Sequence, residues 1–440
     1  MSKAIDSQRE SAFNALFHDY EGPAVAVRFW DGWHWSSRQD EKPLCTVVIN
    51  SAEAFYSLIS EPNEITLGEA FIHGGLDVEG DLFSVFSLAE YVFNRPRSWR
   101  QNVVESAAAL RFSWGKRLKE GARHSMRRDR ASISYHYDQP AEFYAPWLGR
   151  TLAYSCAYFH SAQDTLDHAQ EAKLDLICRK LRLQPGERFL DIGCGWGSLV
   201  LHAAAKYGVK AHGITLSKEQ EQVAKRRIEE AGLTHTCVVE LRDYREMKDL
   251  ESAYDKIASV GMFEHVGLKN LPLYFAAAKR LLRPGGVFLN HGITRASTAV
   301  SRKSSFIDRY VFPDGHLVTL SQVVDAADAQ DLEVRDVENL REHYEMTLRR
   351  WVEGLRKNSA ALHEHVSEVT YRIWLLYMAG SAATFRRGDI AVHQILLSRP
   401  EHGASRLPLT REDWYAAKLS RPAHRYDAYT RKAVELNQST

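Results

Sequence analysis

The chain has 440 residues, 45% of them hydrophobic and 26% charged, with a net charge of +1. That length exceeds one average domain, so two are expected, each long enough to bury a core. The composition is that of an ordinary globular protein, and no apolar run approaches the 18 residues of a membrane-spanning helix. The first 30 residues mix acidic, basic and polar side chains, unlike a signal peptide. Five cysteines (Cys45, Cys156, Cys178, Cys194, Cys237) lie far apart with no C-x-x-C pair, which fits neither a disulfide framework nor a zinc site. A reduced, cytoplasmic protein without a bound metal is the simplest expectation.

Residues 1–95 read as a separate α+β module. Val25-Ala26-Val27-Arg28-Phe29-Trp30-Asp31-Gly32 predicts a strand ending in a turn, and Cys45 to Asn50 a second strand. Ala52–Ser60 and Asp81–Asn94 have helical periodicity, and Gly68 to Val78 reads as a strand interrupted by glycines. Nothing there has catalytic spacing. Residues 96–130 form a basic connector: Arg111 to Arg130 carries eight Lys/Arg against Glu120 and Asp129. Such a run is either a solvated helix face or an element drawn to anionic lipid, where each basic residue contributes about 1 kcal/mol.

From residue 131 to 400 the pattern alternates as a doubly wound α/β sheet should. A helix over Thr165–Leu181 precedes the strand at Phe189. Strands are predicted at 211–216, 237–241, 255–260, 287–292 and 332–337, and helices at 218–231, 271–282 and from Tyr344 to Gly380. Ser297 to Leu320 breaks the alternation and reads as an inserted lid, and 401–440 as a C-terminal tail.

The stretch Phe189-Leu190-Asp191-Ile192-Gly193-Cys194-Gly195-Trp196-Gly197-Ser198-Leu199 is strand, glycine turn and helix start. Glycine lets backbone take positive φ and lie against a ligand, and free N–H groups follow at the helix start. The spacing is G-x-G-x-G, whereas dinucleotide folds favour G-x-G-x-x-G, which points to S-adenosylmethionine. The same turn also reads as an ordinary loop between core elements. The next strand ends in Gly213-Ile214-Thr215-Leu216-Ser217 without the acid that commonly holds ribose hydroxyls, so Thr215 and Gln220 stand in for it. Asp243 sits where the adenine edge usually lies, or is a surface charge. Glu264 and His265 follow a strand's carboxyl end, and His291 lies on the next strand. Glu264 and His291 could converge on one small polar guest; as a metal site the set is weak.

These residues resemble the cyclopropane-fatty-acyl-phospholipid synthases and the related mycolic acid cyclopropane synthases. The matching pieces are Tyr135-His136-Tyr137-Asp138, Tyr154-Ser155-Cys156-Ala157-Tyr158-Phe159, Leu190 to Gly197, Gly213 to Gln220 and Met262 to Gly267. Phe312-Pro313, Tyr344 with Thr347-Leu348 and Trp351, and Phe385 to Ile390 complete the set. They run in family order from about 130 to 400. The resemblance implies a Rossmann-like S-adenosylmethionine-dependent methyltransferase domain behind a small N-terminal α+β domain that handles lipid. It implies methyl transfer to the cis double bond of an unsaturated phospholipid acyl chain. Loss of a proton from the new methyl group to a bound bicarbonate ion then closes the ring. The implied bicarbonate cage is Cys156, Glu264, His291, the backbone N–H of Ile293, and Tyr344. The implied cofactor contacts are Tyr137, Tyr154, Ser155, Asp191, Gly193, Gly195, Thr215, Gln220, Asp243 and Tyr244.

The expected partners are membrane phospholipid and an anionic membrane surface, with no nucleic acid. The expected location is cytoplasmic and peripheral at the inner membrane, and a homodimer follows by analogy. Two departures stand out. Ser381 occupies the position of a cysteine sometimes proposed as catalytic, so a cysteine nucleophile is ruled out there. Asp314-Gly315-His316-Leu317 is unlike the commonest members, which leaves acyl-chain preference open. Rival readings are a relative that stops at a methylene, methyl or hydroxyl branch, a soluble N-methyltransferase, and a non-enzymatic lipid-binding protein.

Overall fold

The computed structural model describes residues 13–14, 17–60, 63–94, 139–297, 306–312 and 317–415. The connector, Tyr137, and the Asp314-Gly315-His316 run lie outside the described residues. The chain divides into two units, and the division is not a simple cut along the sequence.

The first unit comprises Met1–Ala122, Arg302–Val311 and Val366–Ala383. Its four-stranded sheet has the order β2-β1-β3-β4, from β1 (Val25–Phe29), β2 (His34–Ser36), β3 (Cys45–Ile49) and β4 (Leu76–Gly80). β1 and β3 alternate buried with less buried residues, as a sheet covered on one face requires. Helices α1 (Ala52–Ser60), α2 (Glu64–Ile72) and α3 (Ser84–Asn94) belong to this unit.

The strand expected from Gly68 to Val78 is a correction: α2 covers its first half and only Leu76–Gly80 is strand. Asn63 caps α2 by accepting the N–H of Thr66, at 2.9 Å, which starts a helix the glycines would otherwise disfavour. Gly68 sits in mid-helix because a Cβ there would lie 2.3 Å from the ring of Phe306. Phe306 belongs to α9 (Phe306–Tyr310), inside the stretch expected as a lid. Its N–H donates to Glu64, and Tyr310 Oη donates to Glu69.

The second unit comprises Arg123–Ser301, Phe312–His365 and Thr384–Thr440. Its seven-stranded sheet has the order β10-β11-β9-β8-β5-β6-β7. The strands are β5 (Arg188–Ile192), β6 (Lys210–Thr215), β7 (Cys237–Leu241), β8 (Tyr254–Val260), β9 (Leu282–Arg295), β10 (Glu333–Asn339) and β11 (Ile390–Ser398). β5 through β9 pair in parallel, and β11 runs antiparallel between β9 and β10. β11 has no counterpart among the predicted strands. Its last seven residues are all buried, so the alternation that marks a half-exposed strand is missing.

The helices of this unit include α4 (Ala141–Leu148), α5 (Leu166–Leu181), α6 (Ser198–His202), α7 (Lys218–Glu230), α8 (Leu271–Leu281), α10 (Leu320–Asp328) and α11 (Arg341–Lys357). Two buried apolar clusters pack around the sheet, one including Phe189, Val239 and Leu289, the other Leu190, Ile257 and Phe288. Neighbouring residues of one strand thus enter different clusters, as expected where helices cover both faces. Chain order reverses at β5, which lies between β6 and β8. A crevice opens at such a reversal, beyond the carboxyl ends of the strands.

Candidate active site

The glycine turn leaves β5 at that reversal. Gly193, Gly195 and Gly197 all have positive φ (83°, 55° and 82°), a conformation that costs other residues about 1 kcal/mol or more. The N–H groups of Gly193 and Cys194 both donate to the carbonyl of Ile214 on β6, 2.9 Å each, which folds the turn back over the sheet edge.

A cavity opens beside this turn. Tyr154, Ser155, Asp191, Gly193, Gly195, Thr215, Gln220, Asp243 and Tyr244 all line it. Thr215 Oγ1 donates to Gln220 Oε1 at 2.7 Å, so the two residues that stand in for the missing acid are bonded to each other. Asp243 is buried at 1% exposure and is clamped by the Arg245 guanidinium, with Nη2 at 2.7 Å. The alternative that Asp243 is a surface charge is therefore set aside. Tyr154 packs among Trp147, Trp351 and Tyr144.

The loop carrying Tyr154 and Ser155 is pinned from two sides. Gln170 on α5 donates to the carbonyls of Ala153 and Ser155, at 3.1 and 2.9 Å. From α11, Thr347 Oγ1 accepts the N–H of Ala157 at 3.0 Å, and His343 Nδ1 accepts that of Phe159 at 3.1 Å.

The sequence reading missed Lys173, which lines the same cavity from α5. Its Nζ donates to Ser155 Oγ at 2.7 Å. Burial pushes this lysine down to about 8 and Asp191 up to about 7, each partly offset by the other's opposite charge. Helical periodicity alone makes Lys173 an ordinary helix residue; a lysine on the buried side of α5 was the available signal.

The expected cage residues fall into two sets. Glu264 sits in a 3₁₀ turn at Phe263–His265, after β8. Its Oε1 accepts the N–H of Ile293 on β9 at 2.8 Å. The Ile293 N–H assigned to the ion is thus taken up by Glu264 here, a difference from the expected arrangement. The turn comes this close because of Gly292: a Cβ there would lie 2.0 Å from the Phe263 ring. His291 pairs across from Val260 and Gln394, and Gln394 Nε2 faces its Nδ1 at 3.2 Å. Glu264 Oε2 and His291 Nε2 are both buried without a hydrogen-bond partner. Burial raises the Glu264 carboxyl to about 7, opposed by the Ile293 N–H, and keeps His291 neutral, far below its usual range.

Cys156 and Tyr344 are linked through the backbone carbonyl of Leu340, while the Tyr344 ring packs against Trp351 and Phe385. That carbonyl accepts the Cys156 thiol at 3.7 Å and the Tyr344 N–H at 3.1 Å. Burial raises the Cys156 thiol, which therefore stays protonated, a donor and not a nucleophile. Among the described residues no cluster of His, Cys, Asp or Glu could hold a metal ion, and no helix is long and apolar enough to cross a membrane.

A Rossmann-like sheet with a glycine-turn cavity at its chain reversal defines the S-adenosylmethionine-dependent methyltransferase class. Comparison with known proteins narrows this. The family model described as mycolic acid cyclopropane synthetase matches residues 124–395, and a model of a domain of unknown function matches 12–101. A probable fatty acid methyltransferase of Pseudomonas putida is 41% identical over 89% of this chain and 96% of its own length. The cyclopropane-fatty-acyl-phospholipid synthase of Escherichia coli is 34% identical over 78% of this chain and 86% of its own. Among solved structures, mycolic acid cyclopropane synthase CmaA1 complexed with SAH and CTAB superposes with a TM-score of 0.57 and 34% identity. That match covers 61% of this chain and 97% of CmaA1. The chain belongs to the mycolic acid cyclopropane synthetase family, whose solved members include a complex with SAH.

Proposed function

We propose that this protein methylates the cis double bond of an unsaturated phospholipid acyl chain and closes a cyclopropane ring, with bicarbonate as proton acceptor. The observation carrying this reading is that Glu264 Oε2, in the turn after β8, and His291 Nε2, on the neighbouring β9, are each buried without a hydrogen-bond partner. Gln394 donating to Nδ1 leaves the imidazole proton on Nε2, so His291 offers an N–H. Below about pH 7 the Glu264 carboxyl is also protonated and offers an O–H. Two buried donors without acceptors suit a small anion better than a cation.

S-adenosylmethionine supplies a sulfonium-bound methyl group, and bicarbonate a base small enough to lie beside a cation. The protein's own residues supply position. An alkene is a weak nucleophile with no acidic proton, so in-line alignment and exclusion of water are what the site must provide. Ser155 and Tyr154 are fixed on the cofactor side by Gln170 and Thr347, while Gly292 lets Glu264 close onto β9. The family's substrates and the basic run at Arg111–Arg130 support work at an anionic membrane surface, on its inner face.

A second reading, in which the carbocation loses a proton to give a methylene-branched acyl chain that a separate hydride donor could later reduce to a methyl branch, is favoured by the 41% identity to the probable fatty acid methyltransferase. Incubation with S-adenosylmethionine and vesicles of monounsaturated phospholipid, followed by mass spectrometry of the acyl chains, separates the two. Gain of one CH₂ with loss of the double bond and a chromatographically resolved ring supports ring closure. Gain of one CH₂ with the double bond retained supports the branched product. No change in any lipid overturns both.

A further inference from the structure

Four charged side chains of acidic or strongly basic type line the cofactor cavity: Lys173, Asp191, Arg242 and Asp243. Two of them are already compensated. Asp243 is clamped by Arg245, and Arg242 pairs with Asp249 at 2.8 Å. Lys173 and Asp191 feel each other's opposite charge, but no hydrogen-bonded ion pair joins them among the described residues. Lys173 is 2% exposed, and its Nζ donates to the Ser155 hydroxyl and to no carboxylate among the described residues. Asp191 is likewise 2% exposed, and its Oδ1 is buried without a partner.

A buried charge that is not hydrogen-bonded to a counter-charge is costly, so a binding site that keeps one of each sign apart is built for a guest that brings one of each. The amino-acid end of S-adenosylmethionine is such a guest, a zwitterion with a carboxylate and an ammonium. The adenosine end carries neither. We propose that Lys173 is a cofactor-binding residue that recognises the α-carboxylate of S-adenosylmethionine, its ammonium held in place by Ser155.

The geometry explains why Ser155 and Lys173 act together. The Ser155 oxygen accepts one Nζ hydrogen, which directs the remaining ammonium donors into the cavity. Gln170, one turn earlier on α5, fixes the Ser155 carbonyl at 2.9 Å, so helix and loop move as one piece. Burial weakens both charges, and a guest that brings the opposite charge to each offsets that cost. The inference concerns the cofactor alone and does not depend on the acyl substrate or on bicarbonate.

The test is isothermal titration of the full chain with S-adenosylhomocysteine and with 5′-methylthioadenosine, which lacks the amino-acid end. Lys173→Met should weaken S-adenosylhomocysteine by about 10- to 100-fold, the scale of one charge-assisted hydrogen bond, and leave methylthioadenosine within about twofold. Equal loss for both ligands, or no loss for either, overturns the proposal. Lys173→Gln keeps a donor for Ser155 without the charge, so it should remain weak; recovery of affinity in that variant would make Lys173 a mere support for Ser155. The unaltered protein gives an independent arm should neither variant fold. It should prefer S-adenosylhomocysteine to its carboxamide by about tenfold or more, and equal affinities would sink the idea.

Discussion

Glu264 accepts the backbone N–H of Ile293 at 2.8 Å, which fixes the carboxyl on the strand that carries His291 two residues earlier. Successive residues of a strand face opposite ways, and a Cβ on Gly292 would lie 3.1 Å from Glu264 Oε1, so Glu264 meets β9 from the Gly292 face while the His291 side chain leaves from the other. One backbone hydrogen bond thereby ties the turn after β8 to β9 across 29 residues of chain.

Gly292 makes that bond reachable. Alanine there would place its Cβ 2.0 Å from the Phe263 ring and 3.1 Å from Glu264 Oε1. Gly292→Ala should push the Phe263–His265 turn off β9 and destabilise the fold by about 1–3 kcal/mol, as overpacking does. Turnover should fall strongly while S-adenosylhomocysteine affinity changes little. Thermal unfolding and titration of the same variant check both halves.

Glu264 should also leave a mark on stability. Its carboxyl is raised from 4.5 to about 7 in the folded protein. The folded state therefore holds the proton more tightly than the unfolded chain. The resulting stabilisation is full below pH 4.5 and is lost as pH rises through 7. Glu264→Gln is neutral throughout, so it should match the parent near pH 4.5 and exceed it at pH 8 by on the order of 3 kcal/mol. Denaturant midpoints at the two pH values measure this. Turnover of the same variant should collapse with cofactor binding intact; unchanged turnover would remove Glu264 from the mechanism.

Thr347 is buried, and its hydroxyl accepts the N–H of Ala157, two residues beyond Ser155. Thr347→Val keeps the shape but leaves that N–H without a partner, at a cost of about 1–3 kcal/mol. Because the loop that slackens carries Tyr154 and Ser155, KM for S-adenosylmethionine should rise several-fold more than kcat falls. Steady-state kinetics over cofactor concentration show whether it does.

The basic run outside the described residues carries its own prediction. Neutralising Arg123, Arg127 and Arg128 together should weaken co-sedimentation with anionic vesicles, and the loss should shrink in high salt, where surface charges are screened. A salt-independent result would leave the run as a solvated helix face.

Much of this molecule is written locally. A strand, a glycine turn and a helix start place Asp191, Gly193 and Gly195 at a strand end wherever such a unit folds. The ends of the next two parallel strands bring Thr215, Gln220, Asp243 and Tyr244 to the same edge. Thr215, Gln220 and Asp243 were legible from the direction of parallel strands, whereas Tyr244, like Tyr154 and Ser155, was expected only through the family resemblance. What only the tertiary structure decided are relations across long stretches of chain. β11 is buried on both faces and shows no alternation, so its insertion between β9 and β10, with Gln394 against His291, carries no local signature. Residues 302–311 and 366–383 fall in the first unit although they read as part of the 131–400 domain, since packing partners such as Phe306 and Gly68 are 238 residues apart. Lys173 is one charge on a helix until burial against Ser155 and Asp191 removes its water. Sequence fixes which groups stand at the strand ends; desolvation, which depends on every neighbour at once, decides which of them hold a charge to offer.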